Sequence, residues 1–242
     1  MISGRLRRSV FFLLCLALPS AGLQAQTKAQ TKAQTPSSSS AKPARPAAPG
    51  SALDPGSVTN GVYRNKTLAV SCKIPAGWVL RTDELNAREE ENEEGRKEEE
   101  NDAEKKGAPS AAASSTGAKV LLAAFSRPPE ARAEDVNASI LIAAESVANY
   151  PELKDAAQYF FPLTEVAKAQ GFIPDEDPYA IAIGTKTLVR GDFHKDRGSR
   201  VMHQSTLAML SHGYAISITI IGGTDDEVED LIDGLSFAAA GK

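Results

Sequence analysis

Asp192, His194 and Asp196 are the residues of this 242-residue chain whose types and spacing come nearest to chemistry. Residues two apart on a strand share a face, so an imidazole between two carboxylates could converge on a metal or a proton. The same stretch carries Lys195, Arg197 and Arg200 and runs into a turn, as solvated hairpin ends do. His203 falls on the neighbouring strand and His212 in the turn after it, and they meet His194 only if the register brings them there. Arg190-Gly191-Asp192 spells an integrin-recognition tripeptide, but inside a strand its backbone would be paired, and chance accounts for it.

No Gly-x-Ser-x-Gly elbow, phosphate loop, dinucleotide fingerprint, Cys-x-x-Cys pair or His-Glu-x-x-His occurs in the chain. Cys72 alternates with Leu68, Val70 and Ile74, which places all four on one face of a strand and makes the thiol a small buried hydrophobe. Asn65 and Asn137 begin Asn-x-Thr/Ser sequons, which matter only in a cell that glycosylates exported chains. No catalytic, cofactor-binding or metal-ligating set is assigned. A binding or accessory module is the preferred class, and an enzyme or metal-binding protein built around Asp192, His194 and Asp196 is the alternative.

Residues 1–25 carry the parts of a secretory signal in order: Arg5, Arg7 and Arg8, an apolar run from Val10 to Leu18, and small residues ending at Ala25. The run is too short to span a hydrocarbon core of about 30 Å as a helix, so cleavage after Ala25 is expected, with no transmembrane span afterwards. Leu14 before Cys15 argues against lipidation. Removing the signal also removes Cys15, so no internal disulfide can form.

Residues 26–59 read as a disordered tether of Ala, Pro, Ser, Thr, Gln and Lys. Its charges, Lys28, Lys32, Lys42 and Arg45, are all positive and allow a weak contact with an anionic envelope surface. A second low-complexity stretch, 86–117, has no large apolar residue and reads as an insertion into a domain spanning 60–238. Residues 54–242 sum to −11, since the seven basic side chains before them carry no acidic counterpart. A domain so acidic lacks the basic footprint of a nucleic-acid binder. Its expected partner is a basic or neutral protein, a cation or another small ligand.

The elements that must position these residues are strands at Thr67–Ile74, Lys119–Phe125, Ala138–Val147, Thr185–Phe193, Arg200–Met209 and Tyr214–Ile221. Lys195–Ser199 and Ser211–Gly213 read as hairpin turns, so the last three strands pair antiparallel. One helix is expected from Pro151 to Gly171, kinked or broken at Pro162. Another is expected from Thr224, with Glu227 completing a capping box and Val228, Leu231, Ile232 and Leu235 on one apolar face. The fold class is α+β, an antiparallel sheet flanked by helices in a single domain.

Gly61, Tyr63 and Asn65, followed by a strand and Ile74-Pro75-Ala76-Gly77-Trp78, resemble the opening of PsbP-like domains. The hairpin into Gly213-Tyr214, the acidic-capped helix and Ser236-Phe237 are similar to that family's ending. The resemblance implies an antiparallel sheet with 86–117 inserted, and no chemistry, because members include photosystem accessory subunits, a Ran-binding transport factor and lipoproteins. It carries over no functional residue beyond the structural Tyr63 and Trp78.

Overall fold

The structure is a computed structural model that describes residues 53–91, 118–128, 130–131 and 135–238. The signal ending at Ala25, residues 26–52 of the tether and residues 92–117 of the insertion lie outside the described residues; residues 53–59, expected as the end of the tether, are instead folded, because Ser57–Thr59 pairs antiparallel with Val62–Arg64 and Leu53 is buried. Asp54 onward belongs to one compact unit, and of a second grouping, Cys15–Leu53, only Leu53 is described.

Twelve strands run through the described residues. They are β1 (Ser57–Thr59), β2 (Val62–Asn65), β3 (Val70–Lys73), β4 (Val79–Leu80), β5 (Lys119–Phe125), β6 (Ser139–Ser146), β7 (Ile173–Pro174), β8 (Tyr179–Ile183), β9 (Lys186–Arg197), β10 (Arg200–Ser211), β11 (Tyr214–Gly222) and β12 (Leu235–Phe237). Helix α1 covers residues 82–91, at the edge of what is described, and α2 (Ala156–Ala169) and α3 (Asp225–Asp233) follow. No described helix is long and apolar enough to cross a membrane.

Every strand pairing is antiparallel, so the α+β class read from the sequence is the observed one. The small sheet has the order β1-β2-β3-β12, and the large one β4-β5-β6-β11-β10-β9-β7 with β8 also paired to β9. Helices α2 and α3 both pack on β10, and alternation along the strands separates their faces. Ser217 and Thr219 of β11 share a cavity with α2 residues, whereas Gly222, of opposite parity, lies against Val228 of α3.

On the α2 face, Tyr159, Phe160 and Ala167 join Phe172, Phe193, Ala208 and Ala215 in one buried cluster. Phe160 stacks on Phe193 with centroids 6.4 Å apart, above Gly191, where a Cβ would come within 2.5 Å of the Phe160 ring. A side chain at position 191 would lift α2 off the sheet.

Three local expectations need correction. The strand expected from Thr67 begins only at Val70, because Ala69 takes a φ of 53° and closes a turn onto Lys66. Leu68, Val70 and Cys72 are nonetheless buried together, and burial pushes the Cys72 thiol up to about 12. The helix expected from Pro151 starts at Ala156, after an Asp155 cap, and runs unbroken through Pro162. Tyr159, Phe160 and Ala167 anchor it on both sides of the proline, and Gln158, whose carbonyl loses a donor there, is exposed to water. Leu235 belongs to β12 and not to α3, although it is buried with that helix's apolar face.

Candidate functional site

The strand register does bring His203 directly opposite His194, as neighbours on one face of β9 and β10. Each imidazole is engaged separately: His194 Nδ1 contacts Asp175, and His203 Nδ1 lies 2.6 Å from Asp225 Oδ1 at the start of α3. His212 sits in the turn at the far end of β10, where its Nδ1 lies 2.9 Å from Ser211 Oγ.

Asp192 is occupied structurally. Tyr179 donates its hydroxyl to Oδ2 at 2.8 Å, Ser205 donates to Oδ1 at 2.7 Å, and Arg190 Nε reaches both oxygens at 2.9 and 3.1 Å. Arg190 also clamps Glu229, which ties β9 to α3. Burial opposes the Arg190 charge, yet its bonds to Glu229 and Asp192 raise its pKa above the ordinary range. Partial burial and then the bond to Asp192 push the Tyr179 hydroxyl up to about 12. Asp196 lies exposed near the end of β9. Among the described residues no three His, Cys, Asp or Glu side chains converge to hold a metal, so Asp192, His194 and Asp196 are not brought together as such a set.

The other face of the sheet holds the arrangement that local sequence motifs do not reveal. Beneath α2 the strands β6, β10 and β11 leave a cavity of about 40 Å³. One water needs about 10–15 Å³ on this measure, so there is room for roughly three waters or a ligand of a few heavy atoms. Its walls are apolar, from Leu141, Ala143, Leu163 and Val166, and its polar groups include Glu145, Tyr159, Gln204 and Ser217.

Glu145 is 6% exposed, in the strand that the sequence reads as almost wholly apolar. Burial raises its carboxyl pKa, while hydrogen bonds from Tyr150 and Tyr159 pull the other way, the Tyr150 bond being 3.1 Å long. Tyr159 is raised well above its ordinary value, first by its own burial and then by the charges of Glu145 and Tyr150. Gln204 is 5% exposed; its Nε2 donates to Thr206 Oγ1 at 3.1 Å, and its Oε1 has no protein partner. Such an orphaned buried acceptor costs about 1–3 kcal/mol until something donates to it.

The sequon at Asn65 also has a structural explanation. Asn65 is 1% exposed, donates to the Asp54 carbonyl at 2.6 Å and accepts from Leu68 N at 2.9 Å, so it fastens the β2–β3 turn. Tyr63, buried beside it, donates to the Pro55 carbonyl at 3.0 Å, and Trp78 is half-buried in the segment leading into β4.

Fold and cavity together define an antiparallel α+β domain with a small polar-floored chamber under one helix. No family model matches the chain, and no curated protein matches it. Among solved structures it is similar to LpqN, involved in cell envelope biogenesis of Mycobacterium tuberculosis, at 13% identity and a TM-score of 0.33 over 77% of this chain and 87% of LpqN. A protein from Bacteroides thetaiotaomicron VPI-5482 is similar at 12% identity and a TM-score of 0.34, over 72% of this chain; the match spans 47% of that longer protein. Neither carries a PsbP-like name.

Proposed function

We propose that the chain is an exported, non-catalytic binding module of the cell envelope that takes a small ligand in the cavity beneath α2. The observation that carries the reading is the orphaned Gln204 Oε1, a buried acceptor beside a cavity that has room for a donor. Export is supported by the basic, apolar and small-residue segments that end at Ala25, and a contact with the envelope surface by the basic tether. The absence of covalent chemistry is supported by the saturation of Asp192, whose oxygens already accept from Tyr179, Ser205 and Arg190. Kinship with PsbP-like domains belongs to the same proposal, supported by the antiparallel sheet with helices on its faces and by the structural part Tyr63 plays in β2.

Native mass spectrometry of protein taken from the envelope of the producing cell tests the reading. The expected species begins at Gln26 and carries a small non-covalent mass. Leu163→Trp, which fills the cavity from α2, should lose that mass while keeping the same circular dichroism. A wild-type protein that never retains a small molecule, or a filled variant that retains it equally, overturns the ligand reading; a mature species still bearing Met1 overturns cleavage.

A further inference from the structure

We propose that the outer edge of β8 is a self-association surface, on which a second copy of this chain adds its own β8 antiparallel and continues the large sheet across a two-fold axis at Ile181. None of the β8 residues lines the cavity beneath α2.

Among the described strands β8 has the least protected edge. The others that pair on one side only, β1, β4, β7 and β12, have two or three residues each, and β7 ends in Pro174. β8 has five, Tyr179-Ala180-Ile181-Ala182-Ile183, with no charge, proline or bulge among them. Shortness, charge, proline and bulges are the means by which sheet edges are kept from pairing with other chains.

The turn Gly184-Thr185, with Gly184 at a φ of 60°, joins Ile183 to Lys186 and makes those two a hydrogen-bonded pair. By alternation Tyr179, Ile181 and Ile183 direct their backbone groups to β9, whereas Ala180 and Ala182 direct theirs outward. Among the described residues no backbone group pairs with those outward groups. Both alanines are exposed, and a methyl group is too small to shield the backbone behind it. β12 approaches this edge at its turn end, where the Phe237 carbonyl would meet a Cβ on Gly184 at 3.0 Å and Thr185 Oγ1 donates to the Ala238 carbonyl at 3.5 Å.

A second copy fits this edge by symmetry and by charge. Centred on Ile181, antiparallel pairing sets Ala180 opposite Ala182 of the second copy and Ala182 opposite its Ala180, and each pair exchanges two bonds. Exposed Glu176 and Asp177 precede the strand, and half-buried Lys186 follows its turn. The antiparallel alignment carries the acidic end of each copy to the Lys186 end of the other, whereas a parallel one would set the acidic ends together. The net charge of −11 over residues 54–242 opposes approach at long range until salt screens it. So short a pairing makes a transient dimer, and one that tightens as ionic strength rises.

Sedimentation velocity and NMR amide exchange on the full mature chain, over about a hundredfold range of concentration, test the proposal. The dimer should grow with concentration, and the Ala180 and Ala182 amides should exchange more slowly as it fills. The amides of Tyr179, Ile181 and Ile183, already bonded to β9, should keep their rates, an alternation that contact through another face would not produce. Ala182→Pro removes an outward donor twice per dimer without touching the bonds to β9, and should weaken association by about tenfold or more. Ala180→Lys, at an exposed position, puts a charge on the edge and should weaken it as well, both variants keeping the wild-type circular dichroism. A chain that stays monomeric throughout, a dimer that leaves both alanine amides unprotected, or one that both variants leave intact overturns the proposal. So does a monomer in which only an added Thr-Val-Thr-Val-Thr peptide slows those two amides, because the edge would then serve a strand from another protein.

Discussion

Glu145 and Asp192 are both carboxylates on the large sheet, and their surroundings set them opposite tasks. Asp192 accepts from three side chains and joins β9, β8 and β10, with Arg190 extending the tie to α3. Glu145 is buried with tyrosines and no cation, so its folded-state pKa lies above the ordinary carboxylate value. The folded protein therefore binds more protons than the unfolded chain between those two pKa values, and stability falls as pH rises through that window. We expect the melting temperature of Glu145→Gln to exceed that of wild type at neutral pH, with the difference shrinking as pH falls through the window. A pH-independent difference would mean that the carboxyl is not held against ionisation. Glu145 was legible in principle, because a lone carboxylate inside the apolar run Ala138–Val147 is the kind of buried polar residue that carries information. Gln204, Thr206, Ser217 and Thr219 were not. Ser217 and Thr219 alternate with Ile216, Ile218 and Ile220 as a solvent-facing row would, and Gln204 and Thr206 lie in the polar run His203–Thr206; only the placement of α2 over them turns these residues into a chamber.

Among the elements, those written in local chemistry were the most legible. Strands β9, β10 and β11 lie within a few residues of their sequence reading, since β-branched runs and turn residues bound them. The turn between β9 and β10 was read too long, however: Lys195–Ser199 would have paired His194 near Arg200, whereas the shorter turn after Arg197 sets His194 against His203. The β1–β2 hairpin carries Asn60-Gly61 at φ of 52° and 70°, the strongest short hairpin signal, on a segment whose strands are too short to show alternation. Both α2 and α3 use a capping box. Asp155 and Thr224 accept from the third helical residue, while Gln158 and Glu227 accept from the backbone of Lys154 and Gly223, one residue before each cap. Thr224→Ala should cost about 1 kcal/mol through the cap. Leu231→Ala, which empties a buried site under α3, should cost about 2–5 kcal/mol. Chemical denaturation measures both, and an unchanged midpoint for Leu231→Ala would contradict the packing of α3. Gly191→Ala should cost about 1–3 kcal/mol by driving a methyl into Phe160, and Phe160→Leu in the same chain should recover part of that loss by relieving the clash. A Gly191→Ala variant as stable as wild type would mean that α2 shifts freely over the sheet.

At the scale of the molecule, the large sheet carries a helix on each face, and α1 fastens to the β5 side of it. The sequence boundary at Asn86 followed the loss of apolar residues, but the side chain of Asn86 closes a backbone-like pair with Val120, donating to its carbonyl at 2.9 Å and accepting from its N–H at 3.0 Å. Thr82 accepts from Ala123 N at 3.0 Å, and Leu85 packs against the cluster of Val120, Ala123 and Phe125. An amide that mimics a strand is invisible to a reading based on apolar content, which treats 86–117 as one piece. Two deletions therefore should behave differently when their ends are joined by the same flexible Gly/Ser linker. Removing 92–117 takes away only residues with no large apolar side chain and should leave the denaturation midpoint nearly unchanged. Removing 86–117 also takes away Asn86, the side-chain partner of both Val120 backbone groups, and shortens α1, and should cost at least about 1–3 kcal/mol more, the price of leaving those groups unpaired. Asn86→Ala in the full chain should reproduce most of that difference. Equal midpoints for the two deletions would mean that α1 ends functionally before Asn86 and that the sequence boundary was right.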